Sequence, residues 1–260
     1  PAAAAPKLKG KPAMKARPAM NDVEPAPFED DAAPGGGPML SDQFQRLLDE
    51  HLFEALYKQH HVGEVVGRRR WNYSLNPGPD YAKLVFGDEE TAVDKFDFQI
   101  LGTESNLSST WLWAWANEYG GLPVDLTTMS SRLVSGEVVQ DLPYEFTEGQ
   151  MDLERVQGHQ LALVAVGLLA CPGYYRCPQA AGSSFLLITD ENFPKKDEST
   201  VGIMDLANII QQGMDFGWTK DFRLAMDSFL GKRASRVKKR KGNKVCYFFS
   251  DEVGEIVITF

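Results

Sequence analysis

The chain has 260 residues, 43% of them apolar and 24% charged, with a formal net charge of −9 at pH 7. That size can bury a substantial core as one large domain or two small ones. The composition is that of an ordinary globular protein, and the negative charge speaks against a general nucleic-acid coat protein.

Residues 1–40 read as a disordered tail: eight of the fifteen prolines lie there, with Gly35-Gly36-Gly37 and few large apolar side chains. Such a segment buries too little to offset its ordering entropy. The folded part, residues 41–260, opens at Ser41, a good N-cap before Phe44, Leu47, Leu48, Leu52, Ala55 and Leu56 at helical spacing. Four strand-like segments follow, Arg70–Leu75, Tyr81–Phe86, Lys95–Gly102 and Thr110–Asn117, separated by turn-rich pieces that include Thr103–Ser109. A helix is expected over Leu126–Val139 and another over Met151–Leu169, ending before Pro172-Gly173. Then come a hairpin, Tyr174–Pro178 with Ser184–Thr189, two helices, Asp205–Phe216 and Thr219–Leu230, and a closing hairpin, Val245–Ser250 with Glu255–Phe260. Runs of strands without strict alternation predict an α+β fold, with antiparallel sheets of about eight strands and helices packed on one face. One domain is expected, with a subdivision near 190–200 left open.

The segment Trp111-Leu112-Trp113-Ala114-Trp115-Ala116-Asn117 places three of the five tryptophans at period two. In an extended strand Trp111, Trp113, Trp115 and Asn117 share one face. That wall is either core or the floor of a groove that binds a small ligand or a protein partner through its indole faces. Thr103, Glu104 and Ser105 stand at the turn into this strand. Glu104 is the one candidate acid or base, although turn residues more often satisfy backbone groups.

Phe98-Gln99-Ile100-Leu101-Gly102-Thr103-Glu104-Ser105 followed by Thr110-Trp111-Leu112-Trp113-Ala114-Trp115-Ala116-Asn117 resembles the signature of an uncharacterised, mostly bacterial domain family. Leu163–Leu169 and Gly173-Tyr174-Tyr175-Arg176-Cys177-Pro178 match the same family's helix and following strand. The resemblance spans roughly residues 41–190 and implies no activity, since none is established for that family.

Elsewhere the motifs are silent. His51, His60, His61 and His159 form no metal-ligand spacing, and no phosphate-binding glycine loop or nucleophile elbow occurs. No cofactor and no metal are expected, and the function expected is binding rather than catalysis. Eight basic residues and no acid lie between Lys232 and Lys244, which leaves −17 for the rest of the chain once the charge-balanced tail is set aside. That stretch reads as a solvated loop. Its functional alternative is a phosphate contact to nucleic acid through Lys238, Lys239, Arg240 and Lys241, or an import signal in a eukaryotic host. Cys171, Cys177 and Cys246 fit no disulfide framework, and Leu161–Cys171, the longest apolar run, is too short to cross a bilayer. A cytoplasmic location without membrane contact is therefore expected.

Overall fold

A computed structural model describes residues 40–87, 93–196, 202–240, 244–249 and 254–259. The expected tail, apart from Leu40, lies outside the described residues, as does Lys241. The fold is α+β and antiparallel, built on a seven-stranded sheet and a separate three-stranded meander.

Helix α1 (Asp42–Val66) starts where its cap predicts, with Ser41 Oγ accepting the Phe44 amide at 3.2 Å. Ser41 is itself held by the buried Glu145 carboxylate, which accepts its N–H and its hydroxyl. Strands β1 (Trp71–Tyr73), β2 (Lys83–Phe86), β3 (Asp94–Ser105) and β4 (Thr110–Trp113) form the first part of the large sheet. Short helices α2 (Thr128–Val134) and α3 (Tyr144–Thr147) lead to β5 (Gln150–Asp152) beside β4. Helix α4 (Gly158–Leu168) and the hairpin β6 (Gly173–Gln179) and β7 (Gly182–Ile188) complete the sheet. β7 pairs with β3 from Phe98 to Ser105, so β6 becomes an edge. Helices α5 (Ile203–Asp215) and α6 (Phe222–Leu230) precede the meander β8 (Arg236–Arg240), β9 (Lys244–Phe248) and β10 (Glu255–Thr259).

Alternation along the strands divides the core. Tyr174, Phe185 and Leu187 face one apolar cluster, built with α1, α4, α5 and α6, while Tyr175, Cys177, Leu186 and Ile188 face a second one with Trp71 and Phe86. A bulge at Leu101 moves β3 between them: Phe96, Phe98 and Ile100 belong to the second cluster and Leu101 to the first. All three cysteines are buried thiols, and burial lifts Cys171 to about 11.

Several boundaries differ from expectation. The strand expected over 110–117 ends at Trp113, and Ala114–Ala116 close into a 3-10 turn. Trp115 therefore leaves the shared face: the ladder with β3 stops at Trp113 opposite Gly102, where β3 bulges at Leu101. Thr103–Ser105 belong to β3, not to the turn, which is confined to 106–109. The single helix expected over Met151–Leu169 is a strand and then a helix, since Met151 pairs with Trp111 across β5 and β4. The basic stretch is no simple loop: Arg236–Arg240 form β8.

Candidate ligand-binding cleft

The signature residues hold the sheet and α4 together. Gly102 sits under the Trp111 indole, where an added Cβ would come within 2.4 Å of the ring. Trp111 and Trp113 are both 0% exposed, so at these two positions the tryptophan wall is core rather than groove. Their rings meet edge to face at 5.3 Å, and Trp113 Nε1 donates to the Glu145 carbonyl at 2.9 Å. Trp115 is half-buried against the same cluster. Asn117 caps a second 3-10 turn, its Oδ1 accepting the Gly120 amide at 2.9 Å.

Glu104 faces Trp111 across the ladder and reaches α4. Its Oε1 accepts the Gly158 amide at 3.1 Å, and its Oε2 lies 3.4 Å from Arg176 Nη2. A carboxylate there meets the positive end of the α4 backbone dipole. Ser105 Oγ accepts the Ser108 amide, and Thr103 pairs with Leu112 and Ser184 in the ladder. The chain thus brings Glu104 together with Trp111 but carries Asn117 away, past the Gly102 end of β4.

A cleft of ≈450 Å³ opens between the C-terminal half of α1 and the edge of β6, within the ~300–1,000 Å³ usual for small-ligand sites. Leu56, Val62 and Val66 contribute its apolar walls; Arg176 and His159 stand beside them. Gln59 closes the sheet edge: its Nε2 donates to the Tyr174 carbonyl at 3.0 Å and its Oε1 accepts the Tyr174 amide at 3.2 Å. A side-chain amide thereby takes the place of a neighbouring strand, and Pro178 removes the next outward donor but one. Gly63 lies on α1 over the cleft, and an added Cβ would meet nothing within 4 Å.

The electrostatics are distinctive. His159 Nδ1 and the Tyr174 hydroxyl are 2.5 Å apart. Burial, helped by the Arg176 charge, lowers His159 to about 4, so the imidazole is neutral near pH 7. Burial, then the Glu104 charge, pushes the Tyr174 phenol well up. Neither group titrates near neutrality, where general acid–base chemistry is most effective. The Arg176 side chain is 33% exposed, and its long contact with Glu104 is its sole hydrogen bond among the described residues. Its Nε is buried without a partner. By contrast Arg69 makes three bonds, to the Val65 and Val66 carbonyls and to Asp94.

A model for a family of unknown function, DUF6882, matches residues 45–191. The chain belongs to that family. The matched span holds Glu104, Trp111, Trp113, His159 and Arg176, so the cleft from Leu56 to Pro178 is built from family sequence, with Gln212 of α5 beside it. No curated protein and no solved structure matches the chain.

Spacing alone singles out none of His159, Tyr174, Arg176, Gln59 and Gly63. Arg176 and Tyr174 belong to the strand that carried part of the family resemblance, and a glycine inside the long helical pattern of α1 was a further signal. No group of three or more histidine, cysteine or acidic side chains is placed to hold a metal among the described residues. His60 and His61 both approach Glu64, at 3.5 and 3.2 Å, as helix-surface pairs. On β8, Arg236 lies over the Phe248 ring at 4.6 Å and Lys238 is exposed. Arg233 is drawn inward, bonded to Glu54 at 2.6 and 3.1 Å. No helix among the described residues is long and apolar enough to cross a membrane.

Proposed function

We propose that the protein is a non-catalytic binding domain whose ligand occupies the α1–β6 cleft. The observation that carries this reading is Arg176: a guanidinium with nearly all its donors unpaired by protein, standing in a walled cleft beside apolar side chains. Arg offers five N–H groups in a fixed fork and cannot be neutralised, so such a group is suited to holding an acceptor from outside the chain. The reading moves the expected contact surface from Trp111, Trp113, Trp115, Asn117 and Thr103–Ser105 to the cleft. Those residues act as its scaffold, and Glu104 as the side chain that orients Arg176.

Gly63→Leu tests the reading, because it fills the cleft from a position where space is open. Small acids, small amines and neutral amides are titrated against both proteins by ligand-observed NMR. At least one class is expected to bind the parent chain and none the filled variant. Binders that do not distinguish the two proteins would overturn the assignment of the cleft.

A further inference from the structure

Resting on that reading, we infer that the cleft selects a small carboxylate with an apolar body, its headgroup on the Arg176 guanidinium and its body beneath Gly63. Three observations point the same way. The first is the charge of the lining: Arg176, held from behind by Glu104 at 3.4 Å, and Arg68, which has a partner of its own, are its permanent cations, and Glu64 is its one acid among the described residues. Glu64 is already engaged by Lys196 at 2.9 and 3.1 Å, and by His60 and His61. The second is donor chemistry. Guanidinium groups only donate, and their planar fork matches the two oxygens of a carboxylate, whereas an amine ligand would meet repulsion. The third is shape. Leu56, Val62 and Val66 back the cleft from the core, and the half-buried Pro178 and the exposed Gly63 give it apolar surface that a bare inorganic anion would leave uncovered. Gly63 supplies room there in the last turn of α1, with no left-handed backbone that would call for glycine.

The neutral His159 adds to the selection. It lies beside Arg176 without a competing charge, and its Nδ1 is occupied by the Tyr174 hydroxyl.

The probes are phenylacetate, hexanoate, phenylacetamide and inorganic phosphate, titrated by calorimetry and ligand-observed NMR against the parent chain and two variants, Arg176→Gln and Gly63→Leu. Phenylacetate and hexanoate are expected to bind; phenylacetamide should bind at least ~10-fold more weakly, since charge-assisted hydrogen bonds are about twice as strong as neutral ones, and phosphate more weakly because it has no apolar body to bury. Arg176→Gln should erase the preference for phenylacetate over phenylacetamide, while Gly63→Leu should weaken every probe. Equal binding of acid and amide to the parent chain overturns the carboxylate inference and leaves the cleft standing. Binding of phenylacetate unaffected by Gly63→Leu overturns the cleft itself, and absence of binding by both carboxylates overturns the ligand class. Circular dichroism of each variant ensures that a lost signal is not an unfolded protein. Should Arg176→Gln fail to fold, the acid-to-amide ratio on the parent chain alone decides the inference.

Discussion

Glu104 accepts the Gly158 amide so closely that the first residue of α4 has no room for a side chain. A Cβ on Gly158 would lie 2.3 Å from Glu104 Oε1 and 2.9 Å from the Trp111 ring. Strand β3, the tryptophan strand and α4 therefore meet at one point, and Arg176 hangs from the same carboxylate. Gly158→Ala should destabilise the fold by about 1–3 kcal/mol through overpacking. Urea denaturation checks this; an unchanged midpoint would mean that the helix start is not pinned as described.

The tryptophans are predicted to matter for stability. Replacing Trp111 or Trp113 with alanine should cost about 3–5 kcal/mol, the range for deleting a large aromatic from a core. Trp113→Phe keeps a ring in the core and should still cost about 1–3 kcal/mol, because the Glu145 carbonyl then has no indole donor. Thermal melts of the three variants test this, and a melt that stays at the parent temperature for Trp111→Ala would return the indoles to the surface.

Acid should loosen the protein well above the carboxylate range. His159 titrates near 4 when folded and near 6.5 when unfolded, and burial lowers His51 as well. Between those values the unfolded chain binds more protons, so stability falls as pH drops through the window and levels off below about 4. His159 alone accounts for roughly 2 kcal/mol between about pH 7 and about pH 5. Urea midpoints across that range should show the fall, and His159→Gln should flatten it.

Glu104 also competes with any anion for Arg176. Glu104→Gln keeps an oxygen for Gly158 and removes the charge, so phenylacetate should bind severalfold more tightly while stability changes by about 1 kcal/mol or less. Calorimetry gives the affinity and a denaturant curve the stability. A weaker complex would mean that orienting the guanidinium outweighs competing with it.

Local chemistry was legible in the chain, and long-range pairing was not. Ser41 marks the start of α1 because capping involves only the next three residues. The β6–β7 hairpin is legible because two tyrosines and a serine–leucine run flank a short turn. Met151 reads as helical from its neighbours because its partner, Trp111, lies forty residues earlier and no local signal announces it. Strand β8 is concealed by its own lysines and arginines, residues that favour helix or solvent until β9 pairs with them. Period two identifies the face of Trp111 and Trp113 correctly, but the strand ends opposite the bulge in β3, which periodicity cannot register. The cleft was least legible, since it depends on Gln59 meeting Tyr174, 115 positions away.

Amide chemical shifts followed during a phenylacetate titration test the central claim most directly. The account predicts saturable shifts concentrated on Gln59–Arg68 of the first helix region and on Tyr174–Pro178 of the edge strand, with Trp115–Asn117 unmoved. Shifts centred on Trp115–Asn117, or on the exposed basic strand at Arg236–Lys238, would contradict it.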